Sequence, residues 1–135
     1  MIGPLPPERY DEAVALWREV GLTRPWNDPD EDLDRAVTGP SSTVLAQVDG
    51  GELLGTVMVG VDGHRAWMYY LAVAPAAQRS RIGSELVAAA EQWARDRGAP
   101  KLMLMVRADN PDVLEFYASL GYELNEVATL GKRLE

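Results

Sequence analysis

No cysteine occurs among the 135 residues, and histidine occurs once, at His64. The first absence excludes disulfides, thiol catalysis and thiolate-bound metal. The second leaves no His-x-x-x-His pair, so no metal site is expected. Basic residues are scarce as well: 13 Lys and Arg stand against 21 Asp and Glu, a net charge of −8 carried mostly by the first half. Nucleic acid and anionic membrane surfaces both require a basic footprint, so neither is expected as a partner. An acidic surface suits an amine-bearing substrate, and it also simply keeps a protein soluble. No run approaches 18 apolar residues, and Met1 to Tyr10 lacks the apolar core of a signal peptide. A cytoplasmic location is therefore the expectation. Repeats, low-complexity tracts and linkers are missing too, and the length and 47% hydrophobic content fit one domain over residues 1–135.

What is present is a legible order of elements. Tyr10, Ala13, Val14, Trp17 and Val20 recur at helical spacing, which predicts an amphipathic helix over residues 7–20, stopped by Gly21. A Pro-rich loop follows, in which Asp28 is placed to cap an acidic helix from Pro29 to Val37. Residues 43–48, 52–61 and 66–73 read as strands joined at Asp49-Gly50-Gly51 and Asp62-Gly63-His64, an antiparallel meander. Ile82, Leu86, Ala89, Ala90 and Trp93 mark a helix over 80–97. The apolar run Leu102 to Val106 predicts a strand buried on both faces. Asn110-Pro111 opens a last helix that Gly121 closes, and further strand is expected in 122–134. The order predicts an α/β (α+β) chain with a mixed sheet, whose crossover from 66–73 through 80–97 to 102–106 is parallel.

That crossover carries the most informative stretch. After Ala74 the chain turns at Pro75 and enters a helix on Arg79 and Arg81, with no acid before Glu85. Cations at a helix N-terminus oppose its dipole, by about 0.3–1 kcal/mol each. A bound anion, above all a phosphate, offsets them, and ligands favour the carboxyl ends of strands flanking such a crossover. The alternative is that both arginines splay into solvent and bind nothing. A Walker-type Gly-Lys-Ser/Thr is absent.

Gln78-Arg79-Ser80-Arg81-Ile82-Gly83, followed by Ser84, stands where a Gln/Arg-x-x-Gly-x-Gly/Ala phosphate loop would. Thirty residues on comes Asn110-x6-Tyr117 with Leu120-Gly121-Tyr122. With these two segments in this order the chain resembles the GNAT superfamily of N-acetyltransferases over essentially its whole length. Arg24 to Pro29, Asp62 to Arg65, Tyr69-Tyr70-Leu71 and Leu130 to Leu134 resemble its YpeA-type subgroup more narrowly. The resemblance implies a mixed, mostly antiparallel sheet with helices on both faces and a splayed central strand pair. It implies acetyl-CoA as acetyl donor, its diphosphate on the Gln78–Ser84 loop (Gln78, Arg79, Ser80, Arg81, Ile82, Gly83, Ser84). Its pantetheine arm would pair along Leu71, Ala72 and Val73, with Asn110 and Tyr117 nearby. A homodimer through the sheet edges is implied as well. Two departures stand out. Arg81 replaces the central glycine: where that position needs positive φ or close diphosphate contact, a Cβ costs about 1–2 kcal/mol, whereas in helical φ/ψ, the expected case, Arg81 adds a charge-assisted phosphate contact. Met105 stands where some peptide-N-terminus acetyltransferases of the family carry a Glu.

Acetyl transfer to an amine needs a neutral nucleophile, a stabilised oxyanion and a proton for the departing thiolate. By the resemblance, the Val73 N–H polarises the thioester carbonyl and Tyr117 is the general acid; alternatively Tyr117 only packs its helix. Asn110 is expected to cap that helix. For the base, Tyr69, Tyr70, His64 and Asp62 remain, and strand alternation sends Tyr69 and Tyr70 to opposite faces. Trp26, Asn27 and Asp28 are candidates to bind the acceptor amine, unless Trp26 plugs the core and Asp28 only caps. The segment Leu130 to Leu134 walls that pocket or forms an edge strand. The expected function is acetyl transfer to a primary amine of a small molecule or peptide, by direct attack in a ternary complex. The alternative is a module of the same fold that holds an acyl-CoA and transfers nothing.

Overall fold

The glycine pair after Asp49 forms the turn its freedom allows. Gly50 and Gly51 take φ of +58° and +81°, and Asp49 pairs with Glu52 across them. This turn joins β2 (Ser42–Asp49) to β3 (Glu52–Val61), and β4 (Ala66–Val73) adds to β3, completing the expected antiparallel meander. The computed structural model describes residues 1–135 and divides them into two compact units, Met1–Met105 and Val106–Glu135.

In the first unit, β1 (Ile2–Pro4) pairs antiparallel with β2 at the sheet edge. Three residues that include Gly and Pro show no alternation, so the sequence gives no strand signal there. Pro4 lacks an N–H, which an edge position tolerates. On the other side β5 (Leu102–Met103) joins β4 in parallel, as the crossover predicts. The result is a five-stranded sheet in the order β1-β2-β3-β4-β5.

A 3-10 turn at Pro7–Arg9 leads into α1 (Tyr10–Glu19). Asp28 caps α2 (Pro29–Thr38), its Oδ1 accepting from the Asp30 and Glu31 N–H groups at 3.0 and 3.3 Å. Consecutive β3 residues meet opposite layers. Thr56 Oγ1 accepts from Trp17 Nε1 of α1 at 2.8 Å, whereas Gly55 lies under Ile82 and Leu86 of α3 (Ile82–Asp96). Helices thus cover both faces of a mixed, mostly antiparallel sheet. Trp17, Leu86, Val44, Val57 and Val59 are fully buried between them.

Three expectations are corrected. The apolar run at Leu102 is not a strand buried on both faces: the ladder covers only Leu102 and Met103, both half-buried, and Met105 is 55% exposed. Of this run, Met105 lines a cavity rather than the core. In the second unit, built on α4 (Pro111–Ser119), residues 122–134 form no strand. Leu124, Val127 and Leu130 recur every third residue, a period that cannot line one face of a strand. Asn110 sits at the N-cap of α4 by backbone alone and makes no side-chain cap; its ψ of 74° lies below the usual extended range.

Candidate active site

Tyr70 departs from the regular strand. Between the pairs Thr56–Ala72 and Met58–Tyr69, β3 has one residue and β4 has two, Tyr70 and Leu71. The extra residue makes a bulge, and Tyr70 takes φ +50°. Three contacts hold it there. Its ring stacks on Trp17 at 4.0 Å, its hydroxyl donates to Asp32 Oδ2 at 2.7 Å, and its carbonyl accepts from Thr56 Oγ1 at 3.3 Å. The bulge overturns the alternation argument, because Tyr69 and Tyr70 line the same cavity.

Pairing of β4 with β5 ends at Trp67–Met103, so from Met68 onward the β4 edge facing away from β3 carries no strand. Ala74 N donates to Leu54 O at 2.8 Å, which by alternation turns the Val73 N–H and C=O to that open edge. Gln78 Nε2 donates to the Val73 carbonyl at 3.1 Å, tying the following loop to it. In that loop Arg79 has φ +66°, the other non-glycine residue with positive φ. Arg81 takes φ −84° and ψ 0°, a right-handed geometry in which no glycine is needed. Ser80 donates its hydroxyl to Ala77 O and accepts from the Ile82 N–H. No backbone carbonyl accepts from the N–H groups of Arg79, Ser80, Arg81, Gly83 or Ser84. Neither arginine forms an ion pair. Free N–H groups at a helix start, two unpaired guanidinium groups and an open strand edge fit a diphosphate joined to an extended, amide-bearing arm.

Beside the bulge lies a cavity of about 580 Å³, lined by Asn27, Asp32, Arg35, Ser42, Tyr69 and Tyr70 among polar residues and by Leu22, Met58, Met68 and Met105 among apolar ones. Burial, then the Asp32 hydrogen bond and charge, push the Tyr70 phenol well above its ordinary pKa; burial and the Asp62 charge raise Tyr69. Both stay neutral at neutral pH and cannot serve as phenolate bases. Asp62 is occupied: Oδ1 accepts from the His64 and Arg65 N–H groups at 2.8 and 2.7 Å, holding its carboxyl below the usual range. His64 lies in that exposed turn, at the opposite end of β4 from Val73. Trp26 is 56% exposed and plugs no core; of the three loop candidates only Asn27 lines the cavity.

In the second unit, Tyr117 is 8% exposed, with its ring against the edges of Phe116 and Tyr122. Burial raises its pKa to about 12.

The model of the acetyltransferase (GNAT) family matches residues 10–122. The chain belongs to the GNAT family. Solved structures agree on the fold. One is a transcriptional regulator from Bacillus halodurans C-125, at 20% identity and TM-score 0.83, covering 99% of each chain. Another is AAC(6')-Iy bound to the bisubstrate analogue CoA-S-monomethyl-acetylneamine, at 13% identity and TM-score 0.84, covering 98% of this chain and 97% of that one. A third is an aminoglycoside acetyltransferase from an uncultured soil metagenomic sample, in complex with sisomicin. It shows 19% identity and TM-score 0.82, covering 100% of this chain and 96% of that one. At these identities the likeness is one of fold.

On this GNAT framework the residues that sequence reasoning missed are Asp32, Arg35 and Ser42. Asp32 lies in the run Asp30-Glu31-Asp32, where acids are expected at a helix start for its dipole, so nothing in sequence singled it out. Met105 lay in the run from Leu102 to Val106, read as a strand buried on both faces.

Proposed function

We propose that the chain is an acetyl-CoA-dependent N-acetyltransferase acting on a primary amine by direct attack in a ternary complex. The reading is carried by one juxtaposition: the open β4 edge at Val73 continues into a loop where the N–H groups of Arg79, Ser80, Arg81, Gly83 and Ser84 meet no backbone carbonyl, while the Tyr69–Tyr70 bulge of the same strand lines a cavity. Acetyl-CoA supplies an acetyl group activated as a thioester. The loop N–H groups, with Arg79 and Arg81, hold the diphosphate, and the β4 edge from Leu71 to Val73 holds the amide-bearing arm. The Val73 N–H donates to the carbonyl oxygen as it gains negative charge.

The neutral amine forms the C–N bond as the C–S bond breaks. The thiolate leaves with one proton, and the nitrogen gives one up. We assign Tyr117 to the departing sulfur. A phenol at about 12 is a weaker acid than a thiol near 8.5, so it is not the net proton source. It hydrogen-bonds the sulfur and passes on the proton released by the nitrogen, returning to its neutral form.

Melting with saturating acetyl-CoA, CoA or ATP tests the binding half. The CoA compounds should stabilise by roughly 2.7 kcal/mol at a hundred times Kd, and ATP should not. Thiol release over a panel of amines tests transfer, with Tyr117→Phe expected to lower kcat by about a hundredfold or more. An equal response to ATP overturns the donor assignment. Tight CoA binding without turnover on any amine leaves an acyl-CoA-binding module.

A further inference from the structure

The carboxylate of Asp32 is the only acid lining the cavity, and its side chain is 23% exposed. Oδ2 accepts from the Tyr70 hydroxyl at 2.7 Å and Oδ1 from Arg35 at 2.8 Å. A carboxylate offers about four lone-pair positions, so it can still take a ligand cation. Arg35 is 69% exposed and also lies 3.9 Å from Glu31, so solvent and a second carboxylate share its charge. The remaining walls include Leu22, Met58, Val59, Met68 and Met105. These groups carry no charge, and methionine adapts its shape to an apolar body. A second cationic centre on the ligand would find no second carboxylate there, only the neutral side chains of Asn27, Ser42 and Tyr69 and the like charge of Arg35. A carboxylate on the ligand would meet the Asp32 charge and find only an arginine already held by two acids.

Resting on the proposed transfer to an amine, we propose that the cavity selects a monoamine with an apolar body, an arylalkylamine or alkylamine, whose single ammonium docks on Asp32. Polyamines, polycationic amino sugars and amino acids are then disfavoured. Before attack the docked ammonium passes its proton to hydroxide or a buffer base in solvent, so the amine binds charged and reacts neutral.

Thiol release with acetyl-CoA compares 2-phenylethylamine, phenylalanine, spermidine and neamine, and calorimetric titration of each amine measures binding without transfer. Phenylethylamine should exceed each of the others in kcat/KM by about tenfold or more, the size of one charge-assisted hydrogen bond. Asp32→Asn should raise its KM by a similar factor while leaving the KM for acetyl-CoA within about twofold. Tyr70→Phe, which keeps the carboxylate, should retain the preference. Equal or better use of spermidine, neamine or phenylalanine, or an Asp32→Asn variant that binds phenylethylamine as tightly as the parent, overturns the proposal while the transferase reading stands. If no amine is acetylated, titration decides alone. Selective phenylethylamine binding lost in Asp32→Asn supports the site and removes the transferase reading; no amine binding removes both.

Discussion

Tyr70 and Arg79 are the two non-glycine residues with positive φ, and both lie in the stretch from the β4 bulge to the start of α3. Backbone in that region costs about 1–3 kcal/mol and persists only where surroundings over-determine it. At Tyr70 the surroundings are the Trp17 stack, the Asp32 carboxylate and the Thr56 hydroxyl. Buried tyrosines also make stability pH-dependent. The unfolded Tyr117 phenol loses its proton near 10 and the folded one near 12. Between those values the unfolded chain binds fewer protons, so the folded state loses stability as pH rises. Stability should be level below pH 10 and fall by up to about 3 kcal/mol through pH 12 on account of this group. Tyr117→Phe should flatten that part of the fall, leaving what Tyr70 contributes in the same direction; urea midpoints followed by tryptophan fluorescence from pH 9 to 12 measure the difference.

Among the elements, the α3–β3 contact positions the loop. A Cβ at Gly55 would come within 2.8 Å of both the Ala72 carbonyl and Leu86 Cδ1, and the carbonyl belongs to the neighbouring strand and cannot swing aside. Gly55→Ala should therefore destabilise the fold by about 1–3 kcal/mol. It should also weaken acetyl-CoA binding, since α3 and β4 shift together; urea unfolding and calorimetry check the two effects. The helices and the three long strands were legible because hydrophobic period and turn residues agreed, as at Gly50-Gly51 and Asp28-Pro29. β1 was not, since its three residues are held only by pairing with Leu45, Ala46 and Gln47. The bulge at Tyr70 was not either: its extra residue is defined against β3, and Tyr69-Tyr70-Leu71 looks like any strand interior.

For the whole molecule, the uneven distribution of order gives a testable pattern. β2, β3 and β4 lie inside the sheet with helices on both faces, whereas residues 123–135 lie outside any helix or ladder and are exposed. Hydrogen exchange followed by mass spectrometry should find amides of 44–46, 56–59 and 66–68 slowest, approaching the global unfolding free energy, and those of 123–135 exchanging first. Protection of 123–135 equal to that of β3 would contradict this pattern. No helix is long and apolar enough to cross a membrane. The net charge of −8 leaves the arginines at the start of α3 as a local exception to an acidic chain.

The sequence by itself determined what local chemistry dictates. Helix periods, glycine turns, the Asp28 cap, the parallel crossover and a cation-bearing helix start without acids were all written in short stretches of chain. Tertiary structure alone decided which side chains share a space. Asp32 meets Tyr70 across 38 residues, both tyrosines turn to one cavity through a bulge, and Met105 becomes a wall instead of core. The reason is physical: local pattern reports the energy of neighbours a few residues apart, whereas a site is assembled from residues far apart in sequence, by the register of strands and the packing of helices against them.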